Sequence, residues 1–267
     1  MSSADAATLD KLRQFVQEFS DVVDLQFSTD SNLPKLPVDP RDKSPRTAHH
    51  MLLVASIDQR TLVGASENAR ALLVRFHESM GEKLYSERNK DTFNQILLDF
   101  ENAPRLGFQM KEIPRILSSV NRFVAEKTGG DLVQWGRGFE SPSLIVDTIS
   151  QGIDWMGATP NSARKKAWMY MRWMVRPYPD LRIWENLSPR GLFVPVDYNV
   201  AKVASMFHVI PRQRLVDWSD VISITNFARV IFPEDPAKVD YPFFLLGRGD
   251  TKALASASRL GLRATGV

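Results

Sequence analysis

The sequence contains no cysteine. Disulfides, thiolate zinc sites, iron–sulfur clusters and cysteine nucleophiles are therefore excluded. It also lacks an apolar run of the roughly 18 residues needed to span a bilayer, so no membrane partner is expected. The opening Met1-Ser2-Ser3-Ala4-Asp5 has neither a basic nor an apolar region, and no signal peptide is expected. Alternating β-branched runs are scarce, and the best of them, Ile222-Ser223-Ile224-Thr225, falls inside a helical pattern. Gly136-Arg137-Gly138 lacks the third glycine and the preceding strand of a dinucleotide loop. The histidines His49, His50, His77 and His208 have no metal-ligand spacing, so neither a metal nor a cofactor is expected.

What is present is an ordinary globular composition. The 267 residues are 43% hydrophobic and 24% charged, enough to bury a sizeable core. The net charge of +3 is a mild bias toward polyanionic partners. Apolar residues recur at helical spacing almost throughout. Leu9, Leu12, Val16, Phe19 and Val23 mark a first helix with Thr8 as its cap. Pro34, Pro37, Pro40 and Pro45 then make 30–45 an extended connector. Further helices are predicted over 49–62, 67–80, 91–100, 113–127, 143–155, 165–175, 199–208, 218–232 and 236–246. The expected fold class is all-α, in two lobes. One lobe would span 46–175, and the other would combine 1–45 with 176–267.

Two elements carry chemistry. The first is the small-residue hairpin Gly157-Ala158-Thr159-Pro160-Asn161-Ser162-Ala163-Arg164, followed by a helix opening with Lys165-Lys166-Ala167. The free N–H groups at such a helix start suit a phosphate, although an αα-turn with two solvated lysines would read the same way. The second is Val194-Pro195-Val196-Asp197, which places an Asp at the start of another helix. Asp is a preferred N-cap, and a cap also fixes a carboxylate in one place.

Taken together, the two elements resemble the helix-hairpin-helix DNA glycosylase superfamily. Pro160, Lys165 and Ala167 match its hairpin, with Asn161 and Ala163 in place of two glycines, and Val196, Asp197 and Val200 match its Val-Asp-x-x-Val motif. Val194-Pro195-Val196-Asp197-Tyr198, Asp240 with Gly247-Arg248, and Ser56-Ile57-Asp58-Gln59 are similar to segments of the archaeal 8-oxoguanine glycosylases. There Phe244 replaces a base-stacking tryptophan. Met171-Arg172-Trp173-Met174-Val175-Arg176 is similar to the signature of a related family of unassigned function.

The resemblance implies a DNA repair enzyme that excises a damaged base, 8-oxoguanine above all, from double-stranded DNA. It implies Lys165 as nucleophile and Asp197 as catalytic carboxylate. Gln59, Trp168, Asp240 and Phe244 would bind the flipped base, and Asn161, Ala163, Arg164, Lys166 and Arg172 would hold the DNA backbone. An amine that attacks C1′ forms a Schiff base and permits strand cleavage, and a nearby carboxylate stabilises the developing sugar cation. The helix start and the neighbouring Arg164 and Lys166 are expected to push the Lys165 pKa down. Lys166, about 100° further round the helix, is the rival nucleophile. The protein would work as a monomer in the cytoplasm, on the nucleoid. A glycosylase for another lesion, or a DNA-binding protein without catalysis, fits the same residues.

Overall fold

The computed structural model describes residues 6–24, 27–29, 35–58, 65–98, 111–211 and 215–262, with only the backbone for 65–68. The described residues are all-helical. The α-helices are α1 (Ala6–Glu18), α2 (Pro45–Ile57), α3 (Ala65–Met80), α4 (Lys90–Leu98), α5 (Ile113–Lys127), α6 (Leu132–Arg137), α7 (Pro142–Gly152), α8 (Lys165–Val175), α9 (Tyr198–Met206), α10 (Trp218–Ile231), α11 (Asp240–Arg248) and α12 (Thr251–Arg259). Among the described residues the one β-type pairing is an isolated bridge between Ser162 and Asp217. No helix among them is long and apolar enough to cross a membrane.

Local chemistry sets most of the boundaries. Helix α2 begins four residues before the apolar pattern predicts, because Ser44 caps the Thr47 N–H and Pro45 takes the first turn. There the ring's fixed φ suits a helix and the missing N–H costs nothing. It ends at Ile57, with Asp58 as its C-cap; the predicted extension over 59–62 lies outside the described residues. Thr8 sits within α1 rather than capping it. Pro236–Val239 forms a separate 3-10 turn before α11. Helices α6 and α12 are absent from the periodicity reading: α6 has six residues, and α12 (TKALASASR) buries alanine and serine rather than large apolar groups.

The buried apolar side chains form two clusters. The first takes in α2, α5, α7 and α8 and continues past Val175 to Trp184 and Leu192. The second joins α1 to α9, α10, α11 and α12. Helix α2 is buried along nearly its whole length and packs on α5 and α8. Tyr170 on α8 ties the two together by donating its hydroxyl to the Ala48 carbonyl at 3.2 Å.

In the second cluster α11 lies against α9. They approach closely because Gly247 has no side chain: a Cβ there would overlap the Asn199 backbone carbonyl. Gly247→Ala should therefore push α9 and α11 apart. The expected loss is about 1–3 kcal/mol, the usual cost of forcing a methyl into a filled site, read as a lower urea midpoint. An unchanged midpoint would mean that the crossing tolerates a methyl.

Candidate active site

The candidate site is assembled from helix ends. Lys165 opens α8, Asp197 caps α9, Asp240 opens α11, and Asp58 closes α2. The hairpin before α8 is held in two ways. Gly157 adopts φ +92°, and Ser162 lies where a Cβ on Gly157 would be. The Asn161 carbonyl accepts the Trp218 N–H at 3.0 Å, tying the hairpin to the start of α10. The left-handed residue at the entrance to α8 is Arg164, at φ 48°. Neither Asn161 nor Ala163, which stand where the resembling family has glycines, has a positive φ. The turn therefore places its positive-φ residues at Gly157 and Arg164 instead.

The Lys165 ammonium donates to Asp58 Oδ2 at 2.6 Å. Burial opposes its charge, but Asp58, Asp197 and Asp240 together outweigh burial and hold its pKa above lysine's usual value. This reverses the expectation of a depressed pKa, because three carboxylates act on the amine more strongly than the helix start and its basic neighbours. Lys166 behaves oppositely. Its ammonium donates to the Ser56 carbonyl at 2.7 Å. Burial pulls its pKa down to about 7, helped by Lys165 and only partly offset by Asp58. Asp197 accepts the Val200 N–H at 2.9 Å, so it is the N-cap expected from the sequence.

Arg172 is not a surface residue available to a DNA backbone. It is 4% exposed, and three carboxylates enclose its guanidinium. Nη1 donates to Asp240 Oδ2 at 2.5 Å, Nη2 donates to Asp24 Oδ2 at 2.7 Å, and Nε lies 3.4 Å from Asp180 Oδ1. Trp173 Nε1 also donates to Asp24, and Arg176 pairs with Asp180 and Asp235. The Arg-Trp-Met-Val-Arg signature is thus a buried ionic hub. Asp240, expected to meet a base, is instead Arg172's partner; burial raises its pKa to about 6 against the pull of Arg172.

The other expected site residues divide. Trp168 is 1% exposed, stacked on Trp218 and packed on Phe193, so it is core rather than a base platform. Phe244 is half-buried, stacked on Tyr241 with the Arg248 guanidinium 5.6 Å from its ring centre. Arg164 pairs with Asp147 and is largely covered. Ala163 packs against the second cluster, and Asn161 is exposed. Gln59 lies outside the described residues. The residue that sequence reasoning passed over is Asp58, 6% exposed, whose only signal was its place beside Gln59 in a weakly matching segment. A cavity of about 380 Å³ opens elsewhere, at the opposite end of α2, lined by Arg46, His49, Tyr85, Arg88 and Asn121.

Residues 77–249 match the family described as a protein of unknown function (DUF2400). The match covers about two-thirds of the chain, and the chain belongs to that family. No curated protein matches the sequence.

Two outcomes follow from these charges. Arg172→Met would take the guanidinium from Asp240 and leave Asp24 and Asp180 to their other partners, among them Trp173 and Arg176, and breaking a buried pair in this way costs about 3–5 kcal/mol. Without the guanidinium the Asp180 and Asp240 carboxyl pKa values, already raised by burial, rise further. The folded variant then takes up protons that the unfolded chain does not, so its deficit should be largest above pH 7 and narrow as pH falls below 6. A deficit that is flat with pH would contradict the hub. Separately, reductively methylated lysines followed by NMR should give a Lys166 midpoint near 7 and a Lys165 midpoint above the ordinary lysine value. Equal midpoints would contradict the geometry.

Proposed function

We propose that this protein is a DNA glycosylase with abasic-site lyase activity. It would excise an oxidised base, 8-oxoguanine being the first to test, with Lys165 as nucleophile and Asp197 as the carboxylate that stabilises the sugar cation. The observation that carries this reading is the convergence of Lys165 with Asp58, Asp197 and Asp240 at a helix start that follows a short hairpin. The sequence resemblance assigns the lysine and Asp197 the same two roles.

The arrangement suits the chemistry. Cleaving an N-glycosidic bond builds positive charge on the sugar, and a fixed carboxylate lowers that barrier. Asp197 is fixed by its own helix cap. Lys165 belongs to a helix of the first apolar cluster, while Asp197 is flanked by Val196 and Val200 of the second. A damaged base swung out of the duplex would be received where the two clusters meet, in a cleft between two lobes. The base-reading residues are reduced to Phe244 and Gln59, since Trp168 and Asp240 are committed elsewhere. Hairpin contact to the DNA backbone rests on Asn161 and on the helix start rather than on Arg172.

A second reading has its own support. Lys166 is the amine with a pKa near 7, so it is substantially neutral where Lys165 is charged. If Lys166 is the nucleophile, Lys165 supplies electrostatic support.

The test is borohydride trapping on duplexes carrying a panel of lesions. Wild type should become covalently attached to lesion DNA. Lys165→Gln should lose trapping and strand cleavage while retaining DNA binding. Asp197→Asn should slow base release on the order of a hundredfold, as for other positioned charges. Trapping that survives in Lys165→Gln but is lost in Lys166→Gln would transfer the role to Lys166. Absence of base release across the whole panel would refute the glycosylase reading.

A further inference from the structure

We infer that Asp58 is the proton acceptor of Lys165, which leaves Asp197 to face the sugar. This rests on the reading of Lys165 as nucleophile and assigns a role to a residue outside the sequence motifs.

An ammonium has no lone pair, so Lys165 must lose a proton before it attacks. The carboxylate in contact with it is Asp58, at 2.6 Å and buried. Asp240 is held by Arg172, and Asp197 Oδ1 accepts the Val200 N–H. The two candidate acceptors also stand at opposite helix ends. Asp58 is at the C-terminal end of α2, where backbone carbonyls disfavour negative charge; Asp197 is at the N-terminal end of α9, where N–H groups favour it. Moving a proton onto Asp58 removes negative charge from a negative pole. Moving one onto Asp197 would remove it from a positive pole.

The steps balance without water. One Lys165 N–H bond breaks and an O–H bond forms on Asp58. The freed nitrogen pair attacks C1′ as the bond to the base nitrogen breaks, and the base leaves with that electron pair. Asp58 returns its proton to the departing base and is an anion again. The attached nitrogen, still carrying two hydrogens, loses one. Its pair then opens the sugar by breaking C1′–O4′, and O4′ takes the proton. A protonated imine, a free base and a 4′-hydroxyl remain. Asp58 therefore takes the lysine's proton and passes it to the base, and the lysine alone bonds to the sugar.

The experiment compares full-length wild type, Asp58→Asn and Asp58→Glu, and the sign of the change decides. If Asp58 takes the proton, Asp58→Asn slows trapping at pH 7 on the order of a hundredfold with DNA binding kept, and Asp58→Glu restores it to within about tenfold. If Asp58 merely holds the ammonium, its removal frees the lysine and trapping at pH 7 stays level or rises, which overturns the inference. A parallel NMR titration of methylated Lys165 needs no activity and covers the case in which no lesion is processed. There the Lys165 midpoint should fall in Asp58→Asn. An unmoved midpoint overturns the pair, whereas a moved midpoint with no base release counts against the glycosylase reading alone. Asp58→Ser serves the titration if Asp58→Asn does not fold: a lowered midpoint supports the pair, and an unmoved one overturns it.

Discussion

The guanidinium of Arg172, closed in by Asp24, Asp180 and Asp240, is the interaction on which the rest of the arrangement depends. A charge this deeply buried is costly to dehydrate and is tolerated only when its partners supply compensating charge and hydrogen bonds. Those partners come from three separate parts of the chain: the segment after α1, the loop after α8 and the start of α11. The single side chain therefore ties the two apolar clusters together, alongside Phe193 and Trp218, which pack against both. Lys165 lies seven residues before Arg172, two helical turns away and so on the same face of α8. Asp240 acts on both cations. The charge pattern of the candidate site is thus continuous with the hub that sets its geometry.

Helix ends explain why a lysine can sit where Lys165 does. The first turn of a helix is the wrong place for a cation, since unsatisfied N–H groups make it positive. Burial adds to the penalty. Both are outweighed because two other helix starts and one helix end bring carboxylates to the same point. Two of those carboxylates already serve a structural purpose, Asp197 as a cap and Asp240 as Arg172's partner. A site built this way needs little sequence of its own, which leaves few positions that announce it.

That economy determines what could be read in the sequence. The helices followed from apolar periodicity because ten of the twelve among the described residues bury large side chains at helical spacing; α6 and α12 do not and were invisible. Asp197 was legible because a proline-led Asp before an apolar helix is a local signal, and its cap is made within three residues. Asp58 was not legible, because its partner is 107 residues away in sequence. Arg172 was misread for the same reason. Beside the hairpin a basic residue looks like a phosphate contact, and only the fold brings Asp24, Asp180 and Asp240 to it. Trp168 illustrates the other ambiguity: stacking on a base and stacking on Trp218 demand the same side chain, and burial alone separates them.

The paired lysines show how finely such placement acts. Lys165 and Lys166 are adjacent, share one helix start and are both largely withdrawn from water. Their pKa values nonetheless move in opposite directions. The difference lies in what each faces. Lys165 meets formal negative charge, whose attraction in a poorly screened site exceeds the dehydration cost. Lys166 meets the Ser56 carbonyl, a dipole that satisfies one N–H but carries too little charge to hold a proton against the same burial. One step of about 100° around the helix thus converts one residue type into a held ammonium and an amine that gives up its proton near pH 7. The turn at Gly157 and Arg164 that leads into the helix is therefore as much a part of the candidate site as the charges themselves.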